Sequence, residues 1–398
     1  MTHKELVTKA LNFKNFLNSI SPVIPWALFN IVARKSVNLL ILSSTGNSHG
    51  LCFPFYYYRK ELYKLYGIRC REHISDDLEE KRSMLKKFEG EIVFVSMPLR
   101  INGKILSSQQ AVEFFSRLAL TKRTFKIVFF DCSDSASSQF WGVLPYVDLY
   151  LTPFVFRDPL NYQKQFRGGN IVADYLSKRF HIEPTIKNEY WDELFTSEFP
   201  VDNADKLLVS WNWVLWRKLV NTFKSQHFVC LGHGSRNIDI LCRVNPYSGW
   251  CQFHRSQCCK SLNKLIGNYK IVASEKKVDF QSYVSELENS KIMFSPFGYG
   301  EICPKDFEAV MKGCLLIKPS VEHLETYPQI HVPYETYVPV KWDLTDLHEK
   351  VTFYLENDDE RQKLVQQASK VFGEFFSKDG FLVKIKEILL KLGLGSTH

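Results

Sequence analysis

The strongest constraint on the fold is a rhythm. Short runs that are apolar at nearly every position alternate with amphipathic stretches of several helical turns. In the first half the runs are VNLLILSS (37–44), EIVFVSM (91–97), KIVFFDC (126–132) and VDLYLTP (147–153). They lack the strict apolar–polar alternation of a strand wetted on one side, as expected when both faces of a parallel sheet are covered. Between them lie stretches such as SSQQAVEFFSRLALTKR (107–123). Strand alternating with helix implies a doubly wound parallel sheet.

After a polar segment with a proline, FPVDNADK (199–206), the same grammar resumes with HFVCLG (227–232), YKIVAS (269–274), KIMFSPFG (291–298), GCLLIKP (313–319) and TYVPVKW (336–342). A chain of 398 residues suits two domains of about 150–200 residues each. The expected architecture is α/β, with two Rossmann-like domains facing across a cleft: residues 1–205, residues 206–375, and a helical segment 376–398 that could pack back on the first domain. The long helical tail (359–394) is expected to break at Gly373 or Gly380. In open α/β sheets ligands bind beyond the carboxyl ends of the strands, so the cleft is the expected site.

The net charge of +8, from 51 basic and 43 acidic residues, suits an anionic ligand but is too scattered to argue for nucleic acid, and no nucleic-acid partner is expected. The start of the chain is too polar for a secretory signal. VIPWALFNIVA (23–33) is shorter than the roughly 20 residues that span a bilayer. A cytoplasmic protein is expected, with peripheral membrane contact left open. Ten cysteines without a compact framework read as reduced thiols. Cys251, His254, Cys258 and Cys259 have metal-like spacing but no second ligand pair, and no metal is expected.

SPFGYGEICPKDFEAVMKGCLLIKP (295–319) carries the most chemistry. A strand runs into a loop with Gly298 and Gly300, and a helix follows with Pro304 in its first turn. Glycines allow close approach of a ligand, and a helix N-terminus is a ready anion site. Lys305 adds a cation. Glu308, one turn in, is placed to accept hydrogen bonds from ribose hydroxyls, and Glu301 to face a transferred group. The plainer reading is a strand–turn–helix with acids favoured by the helix dipole.

This stretch, continuing into EHLETYP and VPVKWDLTDLHEKV, resembles the C-terminal domain of GT-B-fold glycosyltransferases of the family 1/4-like group of bacteria and large viruses. The matching residues are Glu308, Ala309, Gly313 and Cys314. The resemblance implies that Glu308 holds the ribose of a nucleotide-sugar, and that the loop of Pro296, Phe297, Gly298, Tyr299, Gly300 and Glu301 holds its diphosphate or sugar. It also implies an early basic residue that neutralises the leaving diphosphate, for which Arg243 and Arg255 are candidates, with His254 beside the latter. The family's paired glutamates are separated by seven residues. Here Gly300 stands at the matching position and Glu301 is displaced by one, so inversion or retention stays open.

In the N-terminal half, LILSSTGNSHG ends a strand in a polar loop whose Gly46, His49 and Gly50 could face an acceptor, or simply form a turn. Asp131 and Asp134 follow the strand VFF. One could act as general base, or cap the next helix. D-x-x-D is not the D-x-D metal clamp of the other main glycosyltransferase fold. The aromatic, basic segment FVFRDPLNYQKQFRGGN (154–170) could be an acceptor-side loop, or a solvated surface loop. The expected activity is metal-independent transfer of a sugar from a nucleotide-sugar to a glycan or other hydroxyl acceptor, without a cofactor. A non-catalytic glycan- or nucleotide-binding protein, or a sugar-nucleotide epimerase, would suit the same scaffold.

Overall fold

The computed structural model describes residues 36–45, 47–96, 100–101, 104–137, 139–184, 198–217, 219–220, 236–377 and 379–394. The expected strand at 227–232, the apolar segment 23–33 and Gly46 lie outside the described residues.

Apart from a two-residue hairpin pairing Arg100–Ile101 with Lys104–Ile105, the strands of the N-terminal lobe are β1 (Val37–Ser43), β2 (Ile68–Ile74), β3 (Ile92–Ser96), β4 (Lys126–Phe130), β5 (Leu149–Thr152), β6 (Phe154–Phe156) and β7 (Leu207–Val209). All but β6 form one parallel sheet in the order β2-β1-β3-β4-β5-β7. Helices α1 (Asn47–Tyr57), α2 (Arg59–Tyr66), α3 (Leu78–Lys86), α4 (Ser108–Leu120) and α5 (Ile171–Phe180) complete this lobe.

The period-2 geometry of a strand explains the uniformly apolar runs. Leu39, Ile41, Phe94, Val128 and Phe130 enter one core. Their neighbours Leu40, Leu42, Val93, Val95, Ile127 and Phe129 enter the other. With both faces buried, the middle positions of these strands are apolar and polar residues are confined to their ends, as at Asn38, Ser43, Ser96 and Lys126.

The C-terminal lobe repeats the plan. Strands β8 (Ile238–Arg243), β9 (Ile271–Ser274), β10 (Ser290–Phe294), β11 (Leu315–Pro319) and β13 (Val338–Val340) pair in parallel in the order β9-β8-β10-β11-β13. Helices α6 (Gly249–Asn263), α7 (Phe280–Glu288), α8 (Pro304–Met311), α9 (Leu347–Glu356), α10 (Asp358–Ser377) and α11 (Gly380–Lys391) surround it. Gly373 lies inside α10 and does not break it; the break falls beside Asp379, whose φ is 49°. A short strand β12 (Leu324–Thr326) leaves this sheet and pairs antiparallel with β6 of the other lobe.

The two lobes share one core. Met293, Phe307 and Phe372 of the second lobe belong to the same apolar cluster as Leu39 and Val128 of the first. Helix α11 packs on the N-terminal lobe: Phe381 stacks on Tyr58 at 5.3 Å between centroids and meets Trp211 edge-on at 4.8 Å. Trp211, fully buried, donates its indole N–H to the Leu51 carbonyl at 2.7 Å. These contacts hold the carboxyl ends of both sheets toward each other.

Candidate functional site

The loop 295–302 leaves the carboxyl end of β10 and enters α8. Its conformation is set from beneath by a buried ionic cluster. Lys318, on β11 and 1% exposed, forms an ion pair with Asp306 and donates to the Glu301 carbonyl at 2.6 Å. Asp306 also accepts from the Ser295 hydroxyl at 2.6 Å and faces His331 Nε2 at 3.3 Å. Burial alone would raise the Asp306 carboxyl, but Lys318 and His331 outweigh it and hold the group well below the usual carboxylate range. Asp306 accepts the Cys303 N–H at 3.3 Å as well. The first turn of α8 is therefore already capped by its own carboxylate, which modifies the expectation of a vacant helix N-terminus awaiting an anion.

Above this cluster the loop is pressed against the N-terminal lobe. Pro296, Phe297, Gly298, Tyr299, Gly300 and Glu301 are all buried. A Cβ at Gly300 would collide with the Asp134 carbonyl, so glycine is required by close backbone approach. Asn170, the N-cap of α5, donates through Nδ2 to the Tyr299 carbonyl at 3.1 Å and to Ser135 Oγ at 3.1 Å. Ser135 in turn donates to Glu301 Oε1 at 3.0 Å.

Glu301 is 1% exposed, and its Oε2 has no hydrogen-bond partner among the described residues. His323 Nε2 stands 3.6 Å from the other oxygen. Burial, and next the nearby Glu301 charge, push Asp134 up to about 6. Two carboxyl groups thus meet at the lobe junction, one from each lobe, in surroundings that disfavour ionisation of Asp134.

Arg255 lies on the α6 side of the same loop. It donates Nε–H to the Phe297 carbonyl at 3.1 Å and Nη1–H to the Asn245 carbonyl at 3.0 Å, and sits 5.4 Å over the Tyr247 ring. Its partners are carbonyls and a ring. Its Nη2 would lie 2.9 Å from a Cβ at Gly298, so the guanidinium borders the glycine loop.

His254 is buried and accepts the Phe297 N–H at Nε2 at 3.3 Å. Burial, and next Arg255, hold its pKa down to about 3. It is a neutral acceptor that fixes the loop. Arg243 departs from its expected role: its guanidinium is tied to Glu286 in a two-pronged pair at 2.8 and 2.5 Å. Its carbonyl instead accepts from Lys305, which also lies 5.9 Å over the Tyr283 ring. Tyr283 donates its hydroxyl to Glu308 at 2.8 Å. Lys305, Tyr283 and half-buried Glu308 thus line one corner, between the carboxyl end of β8 and the first turns of α7 and α8.

Asp131 is a correction. It is fully buried and accepts from the Ser133 N–H and hydroxyl at 2.9 and 2.5 Å, the Phe140 N–H at 2.9 Å and the Tyr150 hydroxyl. With both oxygens doubly engaged it organises the turn after β4 and is removed from proton transfer. His49, at the start of α1, faces a different carboxylate: its Nδ1 lies 3.3 Å from the buried side chain of Glu72, and its own side chain is 43% exposed. Gly50 packs on the Trp216 indole, which leaves no room for a Cβ; its glycine is explained by helix packing.

The cysteine cluster does not converge. Cys258 approaches His254 at 3.7 Å, whereas the free thiol of Cys259 is hydrogen-bonded with that of Cys242 on β8 and Cys251 joins the apolar core. Among the described residues no group of three or more potential ligands could hold a metal ion.

Several residues of the site were not singled out in the sequence. Ser135 and Asn170 read as ordinary turn and capping residues, and only tertiary packing brings them to Glu301. His323 carried a signal that could have been used, since it follows the carboxyl end of β11. Tyr283 is one turn into the helix after β9, where a nucleotide corner would be sought.

Two doubly wound parallel sheets with their carboxyl ends turned to a shared loop junction define the GT-B class of α/β protein. Residues 217–377, within the C-terminal lobe, match the family model described as Glycosyl transferase-like. An uncharacterized protein, 179R, of Invertebrate iridescent virus 6 is 32% identical over 93 residues, which is 22% of this chain and 8% of that protein's length. Among solved structures, a sucrose-phosphate synthase from Thermosynechococcus elongatus is similar over 91% of this chain and 100% of its own, with 9% identity and a TM-score of 0.49. An alpha-glucosyltransferase in complex with UDP and a 13-mer DNA is similar over 87% and 99%, with 8% identity and a TM-score of 0.44. A putative UDP-N-acetylglucosamine 2-epimerase from Listeria monocytogenes is similar over 89% and 97%, with 12% identity and a TM-score of 0.43. Among the described residues no helix is long and apolar enough to cross a membrane.

Proposed function

We propose that the chain is a glycosyltransferase that moves a sugar from a nucleotide-sugar to a hydroxyl of a glycan acceptor. The observation that carries the reading is the junction itself. Glu301, within the residues that match the Glycosyl transferase-like model, is buried with one carboxylate oxygen unpartnered, against an Asp134 of raised pKa from the opposite lobe. A buried unpartnered carboxylate oxygen is costly and marks a place where a ligand hydroxyl is expected.

In this reading the nucleoside sits in the corner of Glu308, Tyr283 and Lys305, with Glu308 accepting from the ribose. The diphosphate lies toward Lys305 and Arg255, whose guanidinium suits two-pronged phosphate contact. As the bond from the sugar's anomeric carbon to phosphate oxygen breaks, these cations stabilise the departing diphosphate, a role that needs no metal. The acceptor oxygen forms the new bond to the anomeric carbon. Its proton passes to Asp134, whose raised pKa suits a base working near neutrality. Glu301 orients the sugar through its free oxygen. The geometry is compatible with either stereochemical outcome.

The test is a thermal-shift series with nucleoside diphosphates and nucleotide-sugars, followed by release of free nucleoside diphosphate from whichever donor stabilises the chain. One nucleotide family should raise the melting temperature, and Glu308→Gln should lose most of that rise. A chain stabilised by none of them, and releasing product from none, would falsify the reading. Activity that survives a chelator fits the cationic assignment; activity abolished by it and restored by a divalent ion refutes that part.

A further inference from the structure

We propose that the open cavity between the β4 loop and the 159–169 segment is the seat of a neutral oligosaccharide acceptor. The proposal rests on the reading of the chain as a glycosyltransferase. The cavity has a volume of about 680 Å³, within the roughly 300–1,000 Å³ of small-molecule sites.

Its position is the first argument. Ala136 and Ser137, which line it, belong to the same loop as Asp134 and Ser135. On its other side Phe156 lines the cavity and also faces the His323 ring at 6.2 Å, and His323 stands 3.6 Å from Glu301. On this side the wall ring Phe156 and the His323 ring behind it lie between the cavity and Glu301.

Its chemistry is the second argument. The apolar part is a braced aromatic frame. Tyr162 stacks on Phe199 at 4.5 Å and meets Trp141 edge-on at 5.1 Å, and its hydroxyl accepts the Phe156 N–H at 2.9 Å. Such surfaces take the C–H faces of pyranose rings, and rigid aromatics lose little entropy on binding. The polar part is amide-rich. Gln163 and Gln165 line the cavity, are exposed, and have no partner among the described residues. A planar amide offers a donor and an acceptor side by side, which matches adjacent sugar hydroxyls.

Charge is the third argument. Among the described residues, the ionic ones lining the cavity are Lys164 and Glu198, of opposite sign, and Lys164 already donates to Asn161 Oδ1 at 2.8 Å. A balanced lining favours a neutral polyhydroxyl ligand over a phosphorylated one.

The experiment is saturation-transfer NMR on the full chain with malto-, cello-, manno- and chito-trisaccharides, alongside the nucleotide thermal-shift series. At least one trisaccharide should bind. The double variant Gln163→Ala/Gln165→Ala should weaken it about tenfold, as expected for two lost hydrogen bonds, and leave the nucleotide shift unchanged. Binding of no trisaccharide, binding indifferent to the double variant, or preference for a phosphorylated sugar over its neutral parent would each overturn the proposal. The two readings fail separately. A chain that binds nucleotide but no trisaccharide keeps its transferase assignment and loses this cavity. A chain that binds trisaccharide through these glutamines but no nucleotide does the reverse.

Discussion

Ser135 donates a hydrogen bond from its hydroxyl to Glu301 Oε1 across the lobe junction at 3.0 Å. The carboxylate that a donor sugar would meet is thus positioned by the lobe assigned to the acceptor. Ser135 itself is held by Asn170, which also grips the Tyr299 carbonyl. A change in the distance between the lobes must therefore change the orientation of Glu301. Domain closure and assembly of the site become one event.

Gly300→Ala tests that coupling. The added methyl would strike the Asp134 carbonyl, a backbone atom that cannot rotate away. The lobes should separate, with a larger radius of gyration in solution scattering and a loss of transfer well beyond the loss of nucleotide binding. Gly373→Ala is the matched control. It lies inside α10 with open space around it, and the better helix former should add about 0.5–1 kcal/mol of stability. Equal behaviour of the two variants would refute the steric argument.

Lys318→Met should be among the most damaging single changes. Asp306 would keep its charge in a fully buried position with only His331, Ser295 and Cys303 beside it. Breaking a buried ion pair typically costs about 3–5 kcal/mol. Adding Asp306→Asn should recover part of this, because no uncompensated charge then remains. Urea unfolding of the single and double variants measures the difference. A double variant less stable than Lys318→Met alone would show that the pair is not the source of the cost.

The sheets were legible in the sequence because strands covered on both faces are apolar at most positions. Of the strands in the parallel sheets, β2, β7 and β8 escaped, two of them for a physical reason. In β2, Arg69, Arg71 and Glu72 break up the apolar run, which an edge strand tolerates. In β8, Asp239 and Arg243 do the same, each with its own partner, Lys291 and Glu286. The glycine loop was legible from local spacing. What spacing could not show was which side chains were already engaged: Arg243 by Glu286, Asp131 by its own turn, and Asp306 by Lys318. Those pairings join positions up to 43 residues apart, and a motif does not encode its neighbours across the fold.

The two junction acids also predict how activity and stability depend on pH. The Asp134 pKa is raised to about 6 by burial and by Glu301, so as a base it is lost when pH falls through about 6. The acid limb of the kcat/KM profile should lie there. Glu301→Gln keeps a side chain that can still accept from Ser135 and removes the charge, so the limb should move to lower pH, while kcat falls because the sugar-facing carboxylate is gone. Stability runs the other way for Asp134. A group protonated more readily in the folded state than in the unfolded one loses its contribution as pH rises, here between the ordinary value of 3.8 and about 6. His254, held down to about 3 from 6.5 by burial and Arg255, gains stability over its own window as pH rises, because the unfolded chain binds the proton more readily. In the wild type the two slopes oppose each other over the acid range. Asp134→Asn should expose the steeper rise due to His254, visible in urea midpoints measured from pH 4 to 6.5. A profile unchanged by Asp134→Asn would mean that this carboxyl is not the buried, charge-crowded group that the junction requires.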